Sequence, residues 1–129
     1  MSKYNNKKVE VDGIVFDSIK EANYYKYLKT LEESGEISHL QLQVPFEVIP
    51  AVRGKKTKIK HLKRGDKFEE VEYTIQKATH YVADFVFITT STGQRVVVDV
   101  KSKITRKNPA YILKKKLMLA YNNIEIQEV

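Results

Sequence analysis

The sequence predicts an α/β domain in which helices flank a mixed central β-sheet. Two apolar segments of strand length, YVADFVFI (81–88) and VVVDVKS (96–102), indicate the centre of the sheet. Two further segments, 17–35 and 109–122, carry apolar residues near helical spacing. With 129 residues, 42% of them hydrophobic, the chain can bury one core, so residues 1–129 are predicted to form a single domain.

The first half of the chain supplies a hairpin, a helix and a strand. In 7–16, Asp12-Gly13 lies between alternating apolar residues, which is typical of a β-hairpin. Ser18 opens the helix predicted over 17–35 and Gly35 ends it. Its inward stripe is predicted to contain Ala22, Tyr24, Tyr27, Leu28 and Leu31. Segment 43–50 is predicted as a first core strand that prolines at both ends keep short.

The second half is predicted to complete the sheet and its second helix. Segment 68–80 is strand-like and is predicted to extend the strand that carries Asp84. Pro109 suits the first turn of a helix. The inward stripe of that helix is predicted to contain Ile112, Leu113, Leu117 and Tyr121. The alternating IEIQEV (124–129) is predicted as an edge or near-edge strand.

The positive charge of the chain is concentrated in one segment. Residues 53–67 hold eight basic residues and one acid, Asp66, a surplus equal to the net charge of +7 on the whole chain. Glycines bracket the segment and apolar periodicity is weak, so it is predicted to be a mobile loop that orders on phosphates. The alternative is a merely solvated loop. The predicted nucleic-acid contacts here are Lys55, Lys56, Lys58, Lys60, Lys63 and Arg64, with a second set at Lys103, Arg106, Lys107 and Lys114.

Two aspartates lie within the two central apolar strands. The link 90–94 is short and contains a glycine, so the strands most simply pair as an antiparallel hairpin and bring Asp84 and Asp99 side by side. Because side chains alternate along a strand, Asp99 and Lys101 share one face with Val97. A carboxylate among buried aliphatic side chains is costly unless a cation, a metal or hydrogen-bond donors compensate it. Two carboxylates and a strand carbonyl suit magnesium or manganese, whereas an ordinary ion pair with Lys101 is the alternative.

A third carboxylate, Glu21, lies on the predicted first helix. Its position falls at the edge of the inward stripe, from which it can point at the sheet. The alternative is a structural role, because Ser18-x-x-Glu21 is a capping box in which the glutamate bonds back to the N-cap amide.

The order of helix, strand, strand with Asp84, strand with Asp99-Val100-Lys101, helix and strand resembles the core of the PD-(D/E)XK nucleases. More closely, the chain resembles a family of small phage and prophage proteins of that superfamily, catalogued as a domain of unknown function. Ala83 stands where the superfamily name has proline, and the second acid is aspartate where glutamate is commoner. The matching stretches are FDSIKEANYYKYL (16–28), GEISHLQLQVPFEVIP (35–50), YVADFVF (81–87), VVVDVKS (96–102) and KKKLMLAYNNIEIQEV (114–129).

The resemblance implies a restriction-endonuclease-like core and a DNA endonuclease that depends on Mg²⁺ or Mn²⁺. Asp84, Asp99 and the Val100 carbonyl would hold the metal, Glu21 would add an outer or direct contact, and Lys101 would assist the attacking water. A role in phage DNA recombination, repair or processing follows as an expectation. A junction-resolving enzyme is one subclass of such endonucleases, and it would require a homodimer. The alternative from another class is a nucleic-acid-binding accessory module that keeps the fold without cleaving.

Composition excludes several kinds of site and bears on the location of the protein. The chain has no cysteine, which excludes disulfides and thiolate metal sites. Its three histidines show no ligand spacing, so no zinc site is expected. There is no apolar run of membrane length and no secretory pattern at the start, so a cytoplasmic protein of the bacterial host is expected.

Overall fold

The structure is a computed structural model that describes residues 7–129. Its elements in chain order are β1 (Val9–Val11), β2 (Ile14–Phe16), α1 (Ile19–Glu33), β3 (Ile37–Ile49), β4 (Val52–Leu62), β5 (Gly65–Gln76), β6 (Thr79–Thr89), β7 (Arg95–Asp99), α2 (Lys103–Arg106), α3 (Pro109–Asn122) and β8 (Gln127–Glu128). None of the helices in this range is long and apolar enough to cross a membrane.

The central sheet has the strand order β3-β6-β7-β8. β6 pairs antiparallel with β3 and with β7, whereas β7 and β8 run parallel, so the predicted mixed sheet is confirmed. The predicted first core strand is longer than expected, because β3 begins at Ile37 and passes through Pro45. An edge strand tolerates a proline, since one side of its backbone needs no partner strand.

Helices cover both faces of this sheet. A hydrophobic core lies on each face, and neighbouring residues of β7 contribute to different cores. Val98 packs with Phe16, Leu28 and Phe85 on the α1 side. Val97 packs with Met118 of α3 and Ile126 on the opposite side. The α/β arrangement with flanking helices is therefore confirmed.

The predicted stripes of the two main helices need correction. On α1, Tyr27 is 54% exposed, and Tyr25 takes the buried position, where its hydroxyl donates to Asp12 of the β1–β2 turn. On α3, Ile112, Leu113 and Tyr121 are exposed and the buried residues are Tyr111 and Met118. In both helices a tyrosine takes a buried position and donates its hydroxyl to an acid at the edge of the core, Tyr25 to Asp12 and Tyr111 to Glu128. The spacing of apolar residues alone does not reveal such partners.

The basic segment 53–67 is not a mobile loop, as predicted, but part of a long β-hairpin. β4 and β5 pair without interruption from Arg53↔Thr74 to Leu62↔Gly65. Segment 68–80 therefore returns along β4 rather than extending the strand of Asp84, and β6 begins only at Thr79. Cross-strand pairs such as Ile59↔Phe68 and Lys58↔Glu69 stabilise the hairpin, and these were hidden in the sequence by the density of lysines.

Candidate active site

The hairpin of β6 and β7 brings the two aspartates together as predicted. Phe85 pairs with Val98, so Asp84 and Asp99 occupy the next positions on neighbouring strands. The backbone N–H of Asp84 donates to Asp99 Oδ1 at 3.2 Å. Lys101 Nζ lies 3.8 Å from Asp84 Oδ2 and 3.9 Å from Asp99 Oδ1. One ammonium group thus serves two carboxylates.

The Asp84 carboxylate is held at both oxygens. Its Oδ2 accepts from the Val100 N–H at 2.9 Å, and its Oδ1 accepts from Gln43 Nε2 at 3.3 Å. The side chain is buried but not sealed, since 7% of the residue remains exposed. Each oxygen keeps a further lone pair that can bind a cation.

Glu21 points at this pair rather than back along its own helix. Gln43 Nε2, which donates to Asp84, also donates to Glu21 Oε1 at 3.3 Å. Ser18 caps α1 by accepting from the Glu21 N–H, so the N-cap half of the predicted capping box is present. The Glu21 carboxylate itself contributes to the acidic cluster.

Gln43 is a site residue that the sequence did not reveal. It lies on β3 between Leu42, which pairs with Phe85, and Val44, which pairs with Ala83, and is therefore opposite Asp84. Its φ of 51° is in the left-handed region, which is uncommon for a residue other than glycine. Such strain persists where the surroundings fix it, often at a functional site. Here the strained backbone is that of Gln43, whose side-chain amide donates to both carboxylates.

Asp99 is the most deeply buried member of the cluster. It is fully inaccessible, and its Oδ2 accepts from the Tyr81 hydroxyl while Oδ1 accepts from Asp84. Burial and the hydrogen bond to Asp99 raise the pKa of Tyr81, which keeps this phenol a donor. Tyr81 was also missed from the sequence, where it resembled an ordinary strand aromatic.

Two cavities meet at Lys101. The first, of about 290 Å³, is lined by Glu21, Asp84, Val100 and Lys101 together with the start of α1. The second, of about 320 Å³, is lined by Asp99, Tyr81, Tyr111 and Lys114 on the other side of Lys101. The structure therefore gathers Glu21, Asp84 and Lys101 at one opening and places Asp99 behind them, against the neighbouring cavity.

The cluster is short of positive charge. Burial, followed by the charges of Asp84 and Asp17, raises the pKa of Glu21 to about 7. Burial also raises the pKa of Asp99, against the opposing effect of the Tyr81 hydrogen bond. Burial among other carboxylates therefore favours the protonated form of Glu21, and a bound cation would favour the ionised form.

The donors fit a hard divalent cation, although they do not form a complete cage. Among residues 7–129, no group of three or more His, Cys, Asp or Glu side chains has the spacing of a metal site. The first cavity nevertheless offers the Glu21 and Asp84 carboxylates. Val100 lines the same cavity, and its N–H donates to Asp84. Oxygen donors with free positions are what Mg²⁺, which keeps several waters, requires.

The second predicted basic set is divided by the structure. Lys114 lines the cavity beside Asp99, and Lys103 lies on α2. Arg106 instead lies 3.8 Å from Glu128 and Lys107 caps α2. Of these four residues, Lys114 is the one that reaches the candidate site.

The pKa of Glu21 gives a test that does not depend on activity. In the absence of metal, folding favours protonated Glu21, so its contribution to stability is present below pH 4.5 and is lost as the pH rises through about 7. Glu21→Gln cannot ionise and keeps an oxygen for Gln43. We expect this variant to be more stable than the wild type at pH 8 by about 1–2 kcal/mol and equally stable at pH 4.

Urea denaturation at the two pH values measures this difference. Glu33→Gln, at an exposed position of the same helix, gives the baseline for the same chemical change. A Glu21→Gln variant that is destabilised at pH 8 would show that the carboxylate is not held under charge repulsion.

The fold and the site together define an α/β protein with a carboxylate and lysine cluster at the centre of a mixed sheet. Over residues 1–129 the chain matches the family described as "Protein of unknown function (DUF1064)", and it belongs to that family. No curated protein and no solved structure matches the chain.

Proposed function

We propose that this protein is a divalent-metal-dependent DNA endonuclease with a PD-(D/E)XK-like core. The observation that carries the proposal is the convergence of Glu21, Asp84 and Lys101 at one cavity, with Asp99 buried directly behind Lys101. Attack on an anionic phosphodiester needs positive charge at the phosphate and a positioned water. An acidic cluster with one lysine is suited to supply both.

The topology supports the same proposal. Without the β1–β2 hairpin, the β4–β5 hairpin and the short helix α2, the order of elements is α1, β3, β6, β7, α3 and β8. This is the order of helix, three strands, helix and strand that the sequence resemblance implies. The acids lie on α1, β6 and β7, and the lysine follows β7 directly, as in that resemblance.

Glu21, Asp84 and the Val100 carbonyl would hold Mg²⁺ or Mn²⁺, and Asp99 would add negative charge from behind. A bound divalent cation supplies Lewis acidity and neutralises charge at the scissile phosphate. Gln43 fixes the separation of the two carboxylates that line the first cavity by donating to both. Tyr81 holds Asp99 in place on the opposite side.

Lys101 is the residue proposed to orient the attacking water. Its Nζ lies close to both aspartates, and the Tyr111 ring centroid is 5.8 Å away. These contacts fix an ammonium group at the border of the two cavities. From there it can donate to a water or to a phosphate oxygen.

The proposal is tested by incubating the purified chain with linear, nicked and branched duplex DNA, with Mg²⁺ or with a chelator. We expect Mg²⁺-dependent phosphodiester cleavage of at least one substrate. DNA binding without cleavage of any substrate would favour the accessory module. Absence of both binding and cleavage would exclude both the endonuclease and the accessory module.

A further inference from the structure

The β4–β5 hairpin projects from the domain as an isolated ribbon. Within the described part of the chain, its strands pack against each other and against no other helix or strand. Eleven residues of β4 at about 3.4 Å each give a ribbon about 37 Å long. A ribbon of this length is roughly as long as one turn of duplex DNA, about 34 Å.

The two faces of the ribbon differ in charge. Directly opposed residues of an antiparallel pair share a face, so alternate residues of β4 can be assigned with their partners. One face, here called the lysine face, carries four lysines and a single acid, Glu69; the lysines are Lys56, Lys58, Lys60 and Lys67. The opposite face carries two cations and three acids: Arg53, Lys55, Asp66, Glu70 and Glu72.

Ion pairs strengthen this asymmetry. On the opposite face, Arg53 lies 3.7 Å from Glu72 and Lys55 lies 3.5 Å from Glu70. On the lysine face, Lys60 and Lys67 share the half-buried Glu69 at 3.8 and 3.6 Å, which leaves a surplus of positive charge. Exposed pairs of this kind are weak and exchange readily for phosphate.

The tip of the ribbon is also basic. Lys63 and Arg64 form the turn between β4 and β5, and both are exposed. The positive charge that the sequence spread evenly over 53–67 is therefore concentrated on one side of the ribbon and at its end.

We propose that the lysine face and the tip bind double-stranded DNA, with the ribbon lying along the major groove and its lysines on the flanking phosphates. The major groove of B-form DNA admits a two-stranded β-ribbon, whereas the deep, narrow major groove of A-form RNA does not. The identity of the partner as DNA rests on the proposed function. The ribbon would hold the duplex while the acidic cluster acts on it.

Matched double variants test the assignment of the faces. Lys58→Gln with Lys60→Gln removes two charges from the lysine face, and Arg53→Gln with Lys55→Gln removes two from the opposite face. Duplex DNA affinity is measured by fluorescence anisotropy at several salt concentrations, in chelator so that no cleavage intervenes. For the lysine-face variant we expect the log–log salt slope to fall by about two units, one for each lost phosphate contact.

The control variant is expected to retain the wild-type slope, because Lys55, predicted from the sequence as a nucleic-acid contact, lies on the opposite face and pairs with Glu70. Lys58→Arg with Lys60→Arg should retain binding. Equal losses in both glutamine variants would overturn the assignment of the faces, as would a wild-type slope in the lysine-face variant. Equal weakening on duplex RNA would overturn the groove assignment. Melting temperatures should barely change, since among residues 7–129 the ribbon contacts no helix or strand other than its own two.

This test is separate from that of the proposed function. If the lysine-face variant has a reduced salt slope but the wild type cleaves no DNA, the ribbon assignment is supported and the proposed endonuclease activity is contradicted. If the wild type cleaves DNA but the lysine-face variant keeps the wild-type salt slope, the endonuclease activity is supported and the ribbon assignment is contradicted.

Discussion

Asp84→Asn is expected to abolish DNA cleavage and to leave the fold intact. Asp84 is the carboxylate that lines the open cavity, contacts Lys101 and shares Gln43 with Glu21. Asparagine keeps an oxygen that can accept from the Val100 N–H but lacks the charge that would attract a metal. Charge stabilisation by a metal contributes several kcal/mol in the transition state. A cleavage rate lowered by about a thousandfold or more is therefore expected.

The measurement is single-turnover cleavage in Mg²⁺ with the far-ultraviolet circular dichroism spectrum as a check of the fold. Glu33→Gln, at an exposed position of α1 that does not line this cavity, also replaces a carboxylate by its amide and should retain most activity. An Asp84→Asn variant that cleaves at the wild-type rate would show that the metal site has been assigned wrongly.

Lys101→Ala should have the next largest effect, a loss of turnover of about a hundredfold or more with DNA binding largely kept. The reason is that one lysine contributes little to the total attraction of phosphates, but this one lies at the border of the two cavities. Its removal also leaves Asp84 and Asp99 without their shared cation, so metal-free stability at neutral pH should fall.

Turnover and DNA affinity must be measured separately for this variant. Lys103→Ala, two residues further along on α2, removes the same charge outside the cluster and should preserve turnover. Unchanged turnover in Lys101→Ala would make Lys101 only the ion-pair partner of the two aspartates.

The sequence predicted those parts of the site that depend on local pairing. Asp84 and Asp99 lie on two strands joined by a tight link, so alternation and a hairpin signal were enough to place them together. Helical spacing put Glu21 at the edge of the inward stripe, from which it can point at the sheet, but left open a role as the capping-box glutamate.

Gln43 could not be predicted, because its contribution depends on a left-handed backbone conformation inside a strand. Neither its residue type nor its neighbours favour that conformation. The direction of Tyr81 depends in turn on where Asp99 lies after folding, which is a tertiary property.

The ribbon was missed for a different reason. Its lysines obscured the alternation, and the acids that pair with them lie on β5, outside the basic segment 53–67. Counting charge along the chain gave the right total, but only cross-strand register shows which side of the ribbon carries it.

Cleavage of supercoiled circular DNA as a function of Mg²⁺ concentration, with wild type and Asp84→Asn purified in parallel, is the most direct test of the proposed metal-dependent endonuclease. We expect nicked and linear products that appear with Mg²⁺, disappear with chelator and are absent for the variant. Products that form equally with chelator, or equally with Asp84→Asn, would contradict the proposal.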